Sequence, residues 1–380
     1  MEVNEMARGL KERVREYALA LGFEDVGFTD VAPFGLYVEE IQRRPAMYDW
    51  IQTQGFSTLR GATPSTKHPW ARSMMVLIRN YHRRAFPDEL LGCFGRCYLV
   101  DERKLRGEEH SRFVSLMDFL KEHGIRALYD HEIPARMAAA RAGVVRYGRN
   151  CFAFARKSMG RSSWLEILPI LLDAAVEPDE PSVAIGCPEG CKAPCLEACP
   201  TGALYEPLRM NPRRCIAYLT YYGPDITPVE LREPMGTWVY GCDLCQEACP
   251  LNRAWSGRPL SANQNLVERA GDWDLKVLLS MPMEHYQERV WPQFFYISKS
   301  RLDRWQMNAA RALGNRGDPG DVPVLAGQLK ESPYENVRAM CAWGLGRIGG
   351  RPAKRALESA RGDSSAMVRR EVEMALGGGH

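Results

Sequence analysis

Two cysteine-rich stretches, GCPEGCKAPCLEACPTGAL at residues 186–204 and YGCDLCQEACPLN at residues 240–252, decide how the middle of this chain folds. The first contains four cysteines, each separated from the next by three residues, and ends in Cys199-Pro200. The second contains three and ends in Cys249-Pro250, and Cys215 lies between the two stretches in NPRRCIAYL. Thiolates at this density are the ligands that soft metals prefer, so the pattern predicts metal binding.

The two Cys-Pro endings are typical of proteins that hold two 4Fe–4S clusters. Bacterial ferredoxins carry C-x2-C-x2-C-x3-C-P runs, in which the fourth cysteine binds the other cluster. The first run here has three residues in every gap, which leaves its loop geometry unfamiliar. With the ligands crossed in the same way, we expect one cluster on Cys187, Cys191, Cys195 and Cys249, and the other on Cys199, Cys215, Cys242 and Cys245.

Three other interpretations compete with clusters. Four cysteines also suit structural zinc, although eight with two Cys-Pro endings favour iron–sulfur. Disulfides are disfavoured in a reducing compartment. A helical stripe of cysteines is disfavoured by Pro188, Gly190 and Pro194. The remaining cysteines are scattered along the chain: Cys93, Cys97, Cys151 and Cys341. Isolated cysteines of this kind are more often buried in a core than bound to a ligand, although ligand binding stays an alternative for Cys93 and Cys97.

Composition and charge narrow the class of protein. At 380 residues the chain has room for two or three domains. A formal net charge of +3 is too small to create a strong electrostatic field that would attract nucleic acid or a membrane surface. The first ten residues resemble no signal peptide and hold no twin-arginine pair, and the longest apolar run, from Trp164, contains Glu166, Pro169 and Asp173. We therefore expect a cytoplasmic protein that does not enter the membrane.

Changes in composition and in apolar periodicity divide the chain into four parts. Residues 1–180 alternate amphipathic helices with short apolar strands, and residues 181–260 are rich in Pro, Gly and Cys. Residues 261–298 form a connecting region, and residues 299–380 repeat themselves. The fold class expected from this pattern is α+β with several domains.

The C-terminal repeat has a period of about one helical pair. Ala312-Leu313-Gly314, Gly344-Leu345-Gly346 and Ala375-Leu376-Gly377 recur at separations of 32 and 31 residues. Residues 299–380 hold 14 Lys and Arg against nine Asp and Glu. This local excess suits either a solvated helical face or a surface that binds nucleic acid.

Nucleotide-binding and cobalt-binding motifs do not occur in the sequence. There is no G-x-G-x-x-G after a strand and no Walker loop, so no bound nicotinamide or nucleoside triphosphate is indicated. Asp130-His131-Glu132 does not match the D-x-H-x-x-G motif that supplies a histidine to cobalt.

Several stretches resemble the epoxyqueuosine reductase family, whose members use cobalamin and iron–sulfur clusters to complete queuosine in tRNA. The resemblance lies in CLEACPTGAL, NPRRCIAYLT, YGCDLCQEACPLN, AARAGVVRYGRN, MNAARALGNRGD and CAWGLGRIGG. SWLEILPILLDAAVEPD, at residues 163–179, resembles the helical region that follows in the family. The resemblance implies a nitroreductase-related α/β domain that binds cobalamin without a protein ligand to cobalt. A bacterial ferredoxin-like double-cluster domain and HEAT-like repeats would follow it.

The same resemblance implies roles for residues beside the corrin. Asp130, in YDHEIPARMAAARAG, matches the proton-donating aspartate of the family and would need a raised pKa, which burial beside the corrin supplies. Its alternative role is to cap the helix that begins near Pro134, and His131 and Glu132 are rival acids. Gly143-Val144-Val145-Arg146 departs from the family, and we expect it to change the surface beside the corrin. The implied cofactor contacts are Arg96, Cys97, Tyr98, Asp130, Arg141, Arg149 and Asn150.

Three functions stay open from the sequence. The first is reduction of epoxyqueuosine in tRNA, with Arg and Lys of the repeats gripping phosphates and with electrons from an external donor such as flavodoxin or ferredoxin. The second is a paralogous cobalamin-dependent reductase acting on another substrate. The third is an iron–sulfur electron carrier without catalysis. In each case we expect a monomer.

Overall fold

A four-stranded antiparallel sheet organises the N-terminal half, with strand order β1-β2-β6-β3. Its strands are β1 (Asp25–Thr29), β2 (Ser73–Asn80), β3 (Ala127–Tyr129) and β6 (Leu165–Leu172). The computed structural model describes residues 2–53, 57–100, 107–182 and 185–378, with the side chains of 9–51 and of the later ranges. Among these residues, none of the helices combines the length and apolar character that crossing a membrane requires.

Helices cover both faces of this sheet, which explains why its central strands are apolar throughout. Met74, Val76 and Ile78 of β2 lie in one core, and Met75 and Leu77 lie in a second core on the opposite face. All eight residues of β2 are buried, as side chains that alternate between two covered faces must be. The helices of this half are α1 (Glu2–Ala20), α2 (Gly35–Gln42), α3 (Pro45–Tyr48), α4 (Trp50–Thr53), α5 (Thr58–Gly61), α6 (Pro64–Lys67), α7 (Arg96–Leu99), α8 (Glu108–Glu122) and α9 (Ala135–Arg141).

The expectation that residues 163–179 are helical is wrong, because Leu165–Leu172 form β6 at the centre of the sheet. An apolar run of eight residues suits a strand covered on both faces as well as it suits a helix. Pro169 stands opposite Val76, and on the other side β3 pairs no further than Tyr129 opposite Ile170. Proline has no N–H to donate, so the ladder with β3 ends beside it.

The middle of the chain consists of short elements joined by turns. Two hairpins are formed by β4 (Val145–Tyr147) with β5 (Ala153–Ala155) and by β7 (Leu204–Glu206) with β8 (Arg209–Met210). The short helices are α10 (Pro194–Glu197), α11 (Ile216–Tyr222), α12 (Val229–Arg232), α13 (Leu244–Glu247) and α14 (Pro250–Ser256). Tight 3-10 turns occur at Asp88–Leu90, Met159–Arg161 and Pro212–Arg214.

The C-terminal part is helical, as the repeat predicted. Its helices are α15 (Gln264–Arg269), α16 (Leu275–Ser280), α17 (Met283–His285), α18 (Leu302–Arg316), α19 (Val322–Glu331), α20 (Glu335–Ile348), α21 (Gly350–Ser359) and α22 (Ala366–Leu376). Turns at Ala270–Trp273 and Pro319–Asp321 and a π-helical turn at Tyr286–Val290 complete it. Phe86, Leu90, Phe94 and Leu99, from the N-terminal half, pack into the core of these helices.

The glycines of the repeated motif set how closely the repeats stack. A Cβ atom on Gly314 of α18 would lie 2.7 Å from the Cα atom of Gly344 on α20. Real Cβ atoms do not approach a backbone so closely, so Gly314 must be glycine for the two helices to touch. A Cβ atom on Gly344 would lie 3.1 Å from the Ala310 carbonyl oxygen, which is a tight contact. In contrast, a Cβ atom on Gly327 of α19 would meet nothing within 4 Å.

We expect Gly314→Ala to lower the free energy of unfolding by about 1–3 kcal/mol, because it overpacks the contact between α18 and α20. Gly327→Ala is the matched control and should raise stability by about 0.5–1 kcal/mol, since alanine is the better helix former and has room. Thermal unfolding followed by circular dichroism measures both. Equal stability of Gly314→Ala and the unmodified protein would contradict the stacking.

Polar residues of α18 tie the repeats to the loop between Cys215 and Cys242. Asn308 Nδ2 donates to the carbonyls of Thr220 and Val239 at 3.0 and 3.1 Å. The buried Arg311 guanidinium donates to the Gly236 carbonyl at 2.6 Å and to the Trp238 carbonyl, and burial lowers its pKa to about 9. A second link is the buried ion pair of Arg232 with Glu371, at 2.7 and 2.8 Å. The repeats therefore hold the cysteine-bearing loops in place.

Candidate cofactor and active site

The structure brings the seven cysteines of the two stretches, together with Cys215 between them, into two sets of four. In the outer set, burial raises the pKa of the Cys195 thiol to about 11, and the neighbouring thiolates of Cys249, Cys187 and Cys191 raise it further. In the inner set, burial raises the pKa of the Cys245 thiol well above its ordinary value, and Cys215 and Cys199 add to the effect. Burial also raises the pKa of the Cys242 thiol, and the neighbouring Cys245 and Cys215 raise it further. One cavity, described below, is lined by Cys199, Cys215, Cys242 and Cys245, which form the inner set, and not by Cys187, Cys191, Cys195 and Cys249, which form the outer set.

The members of these sets are those that the crossed spacing predicted, with Cys199 in the inner set and Cys249 in the outer set. Their assignment as cluster ligands stays a prediction. All twelve cysteines are free thiols in the structure. Within the described residues, no group of three or more His, Cys, Asp or Glu side chains is arranged as the ligands of one metal ion. A cubane spreads its thiolates over four iron atoms, so they need not meet at a point as the ligands of a single zinc ion must.

Backbone N–H groups are already directed at some of the sulfurs. Cys215 precedes α11, and its sulfur accepts hydrogen bonds from the N–H groups of Ala217 and Tyr218. Cys249 precedes α14 and accepts in the same way from Leu251 and Asn252. In both cases these bonds lower the thiol pKa against the larger effect of burial, which raises it. Such bonds favour the thiolate that binds iron and tune the reduction potential of a cluster.

Two of the predicted cofactor contacts, Arg96 and Arg149, hold the cysteine loops. Arg96 Nη1 lies 3.0 Å from Asp243 and 2.6 Å from Glu247, and its backbone N–H also donates to Asp243, at 2.8 Å. Asp243 is buried between Cys242 and Cys245. The backbone N–H of Arg149 lies 3.4 Å from the sulfur of Cys187, and its guanidinium donates to the Cys191 carbonyl. These contacts fix one loop of each set to the N-terminal half.

A cavity of about 440 Å³ opens beside the inner set. All four inner-set cysteines line it, whereas no cysteine of the outer set is among its described lining residues. Apolar and aromatic side chains supply most of the remaining wall, namely Tyr81, Tyr98, Phe152, Leu165, Ile167, Leu204, Met210, Ile216 and Tyr296. A large, mostly apolar cofactor such as a corrin suits a wall of this kind, and thiolates at its edge are placed to pass electrons into it.

The other predicted cofactor contacts divide between this cavity and other places. Cys97, Tyr98 and Asn150 line the cavity, and Asn150 Nδ2 also donates to the Cys245 carbonyl at 3.2 Å. Arg141 is not brought to it. That side chain pairs with Asp30 at 2.9 Å and lines a separate pocket of about 330 Å³.

Gly143-Val144-Val145-Arg146, which we expected to change the surface beside the corrin, does not belong to the described lining of this cavity. Val144 and Val145 are buried in the core under the sheet. Val145 begins β4, so the departure from the family fills a packed hairpin. A sequence pattern alone does not tell a wall residue from a core residue one strand behind it.

Asp130 lies at the end of β3 in a group of charged side chains. Its side chain is 6% exposed, and Oδ2 accepts from Lys67 Nζ at 2.7 Å and lies 2.9 Å from His68 Nε2. Oδ1 accepts from the backbone N–H of Glu132 at 3.0 Å. Glu132 in turn pairs with Lys67 at 2.7 Å and with Arg60. Asp130 is therefore a fixed carboxylate in this conformation.

The expected rise of the Asp130 pKa is wrong for this conformation. Burial raises the pKa, but hydrogen bonds from Lys67, the Glu132 N–H and His68 lower it more, and the net pKa lies below its usual value. Helix capping is not its role either, since Pro134 caps α9 and Asp130 closes a turn instead. Tyr129 and His131 line the cavity, whereas Asp130 between them is not among its described lining residues.

The two rival acids have different surroundings. Arg60, then Lys67 and the Ser57 N–H, bind Glu132 and lower its pKa to about 2 against the opposing effect of burial, which makes it a poor proton donor. His131 lines the cavity and is exposed. In this conformation His131 is therefore the better placed proton donor. Asp130 would reach the cavity only if the segment 129–133 moved.

Sequence reasoning missed the basic side chains around Asp130. Lys67 and His68 belong to TKHP at residues 66–69, more than 60 residues before Asp130, and no motif marks them. Arg60 approaches because Gly61 has no side chain: a Cβ atom there would lie 2.0 Å from the Glu132 carbonyl oxygen. Such contacts arise from the tertiary fold alone.

We expect Lys67→Met to move the alkaline limb of the pH–rate profile to higher pH. Removing the cation raises the pKa of Asp130, and a general acid works only while it is protonated, so activity persists to higher pH. Lys67→Arg keeps the charge and should leave the limb in place. The measurement is kcat/KM against pH, which reports the pKa of Asp130 in the free protein, where Lys67 binds it. A limb of Lys67→Met that coincides with that of the unmodified protein would contradict the role of Asp130 as the acid.

Two protein-family models match the chain. Residues 187–252 match the 4Fe-4S double cluster binding domain. Residues 297–377 match HEAT repeats. The first match includes all eight cysteines of the inner and outer sets, and the second spans α18 to α22.

Curated relatives and solved structures are similar over nearly the whole chain. Epoxyqueuosine reductase of Escherichia coli strain K12 is 30% identical over 375 residues, covering 91% of this chain and 90% of its own. A structure of the Bacillus subtilis enzyme, with its catalytic aspartate loop swung out of the active site, has a TM-score of 0.80 at 26% identity and covers 98% of this chain and 99% of its own. A crystal structure of epoxyqueuosine reductase with an epoxyqueuosine-modified tRNA-Tyr stem loop has a TM-score of 0.78, again at 26% identity, with coverage of 98% and 99%.

Proposed function

This chain belongs to the epoxyqueuosine reductase family, and from that membership we propose that it reduces epoxyqueuosine in tRNA to queuosine. The reaction removes the epoxide oxygen as water and leaves a carbon–carbon double bond. It consumes two electrons and two protons. The protein is therefore an oxidoreductase that must bring together an electron path, a proton donor and the modified nucleoside.

The chain binds two 4Fe–4S clusters and uses cobalamin. The residues present fit these groups, because two sets of four thiols are assembled and the inner set lines a largely apolar cavity. When bound, cobalamin supplies a strongly reducing cobalt, and the clusters supply electrons one at a time. Tyr98, Cys97 and Asn150 would contact the corrin, and the inner-set cysteines would hold the cluster next to it.

One observation carries the proposal: a single cavity is walled on one side by the inner-set thiols and on another by the residues that flank Asp130. The apolar wall excludes water from the reacting bond. Asp130 would hold a proton for the departing oxygen once the segment 129–133 turns towards the cavity. The relative whose catalytic aspartate loop is swung out supports a loop of this kind with two positions.

The remaining expectations about partners are part of the same proposal. We propose that an external flavodoxin or ferredoxin supplies the electrons, that the chain acts as a monomer and that it works in the cytoplasm. We also retain the division into residues 1–180, 181–260, 261–298 and 299–380, although residues 86–99 pack with the helices of the last two parts.

The test is conversion of a tRNA anticodon stem loop that carries epoxyqueuosine. The anaerobically reconstituted protein, with cobalamin and dithionite, should convert the nucleoside to queuosine, detected by mass spectrometry as the loss of one oxygen. Corrin binding without conversion would instead favour a paralogous reductase with another substrate. Cluster loading without corrin binding would favour an electron carrier.

A further inference from the structure

Electrons must enter through the outer set if they leave through the inner set. The four inner-set cysteines line the cavity that the corrin would fill. Cys187 and Cys191 are partly accessible, and neither is among the described lining residues of the cavity. Glu189 and Gly190 between them and Lys192 after Cys191 are exposed. A donor protein therefore has to approach the outer face, next to these two cysteines and Cys249.

Helix α14 directly follows Cys249, and this helix and the residues after it carry two arginines onto that face. The N–H of Arg253 donates to the Cys249 carbonyl at 2.9 Å, so Arg253 lies one helical turn from an outer-set cysteine. Arg253 and Arg258 are both exposed. The Arg258 guanidinium stacks on the Trp255 ring, with 4.0 Å from its central carbon to the ring centre. Stacking holds this charge in place.

A tight turn at Met159–Arg161 lies against α14 and adds a third arginine. A Cβ atom on Gly160 would lie 3.8 Å from both Arg258 Nη2 and the Trp255 ring. Met159, Gly160 and Arg161 all have left-handed backbone angles, with φ of 55°, 58° and 59°. Three such residues in a row persist only where the surroundings impose them, and the buried Met159 anchors the turn while Arg161 is exposed.

Buried hydrogen bonds join the two segments into one surface. Asn252 Oδ1 accepts from the Ser163 N–H at 2.7 Å, and Asn252 Nδ2 donates to Ser163 Oγ at 2.8 Å. Trp164 Nε1 donates to the Asn252 carbonyl at 3.3 Å. The fold therefore fixes the two backbone segments that carry the three arginines next to each other.

This surface is positively charged. Residues 150–165 and 250–262 contain Arg156, Lys157, Arg161, Arg253 and Arg258 and no Asp or Glu, in a chain whose net charge is only +3. The loop from Cys187 to Cys191 adds the negative charge of Glu189, which the positive charge of the nearby Lys192 cancels. A basic patch attracts an acidic partner and speeds the encounter.

We infer that the surface of Arg161, Arg253 and Arg258 docks an acidic one-electron donor protein beside the outer set. This inference rests on the proposed function, because it assumes that the outer set receives electrons. In each encounter the reduced flavin or iron–sulfur centre of the donor loses one electron, and the centre held by the outer set gains it, with no bond made or broken. RNA is the weaker occupant, since none of the three arginines is among the described lining of the cavity that its modified base must reach.

The test uses the double variant Arg253→Glu/Arg258→Glu of the reconstituted full-length protein, with a purified acidic flavodoxin reduced to its hydroquinone as the donor. At low ionic strength, flavodoxin should bind the variant at least about tenfold more weakly and reduce its clusters at least about tenfold more slowly. Binding is measured by surface plasmon resonance and reduction by stopped-flow absorbance. The control is Lys354→Glu/Arg355→Glu on α21, which makes the same change in charge on exposed side chains elsewhere.

Reduction by dithionite and affinity for the tRNA stem loop complete the test. Both should match the unmodified protein in the double variant, which also shows that its clusters are intact. Flavodoxin binding and reduction at unmodified rates, or an equal loss in the control variant, would overturn the inference. A matching loss of stem-loop affinity would assign the surface to RNA. Failure of the unmodified protein to convert the stem loop with dithionite would instead refute the proposed function.

Discussion

Cys245→Ser is expected to lower turnover by more than about 100-fold, because loss of a direct cluster ligand should exceed the 10–100-fold effects of changing a ligand's supporting partners. Cys245 belongs to the inner set and lines the cavity, so its loss interrupts the last step of the electron path. Serine has nearly the same shape but no thiolate, so the fold should survive. The iron content of the purified protein should fall to about half, since one of two four-iron clusters is affected.

Cys93→Ser is the control for this substitution. Cys93 is a partly buried cysteine outside both sets, and its thiol bonds to the Thr237 side chain. We expect Cys93→Ser to keep both iron content and turnover. Full iron content and full turnover in Cys245→Ser would remove Cys245 from the ligands and with it the crossed pairing.

Asp130→Asn is expected to lower turnover by about 10²–10⁴-fold, which is the usual contribution of a general acid. Asparagine has the same shape but no carboxylic proton to give. The hydrogen bond from the Glu132 N–H at 3.0 Å can still be accepted by the amide oxygen, so the turn should persist. The measurement is single-turnover conversion of the stem loop, with cluster absorbance and corrin binding recorded to show that the cofactors remain.

Glu132→Gln and His131→Asn separate the rival acids. Glu132 shares Lys67 with Asp130 and has a pKa of about 2, so Glu132→Gln should keep most of the turnover. His131 lines the cavity without any movement of the chain. Should His131→Asn abolish turnover while Asp130→Asn retains it, the proton would come from His131, and the segment 129–133 would have no need to move.

The grouping of the cysteines was accessible from sequence because covalent spacing and the Cys-Pro endings constrain it strongly. The helical repeats were accessible for a similar reason, since a period of 31–32 residues ending in glycine reflects direct helix contact at Gly314 and Gly344. Both features are local or periodic. A site whose residues are close together in sequence, or a contact that recurs in every repeat, produces a pattern that can be recognised in the sequence.

The features that the sequence did not predict depend on contacts between distant segments. The resemblance to the family implied a helix at residues 163–179, and the apolar run alone does not correct it, because a buried strand such as Leu165–Leu172 and a buried helix have the same apolar run. The pKa of Asp130 falls because Lys67 and His68 arrive from another helix and loop. Asn308 and Arg311 hold the loop before Cys242 from within the repeats, although nothing in their helix marks them as more than core or surface.

The most direct test of the central claim is a crystal structure of the fully reconstituted protein, with anomalous scattering recorded at the iron and cobalt edges. The account predicts two iron sites of four atoms each, one held by the outer set and the other by the inner set, with cobalt in the cavity next to the inner set. A single iron site, zinc in place of iron, or cobalt outside this cavity would contradict it.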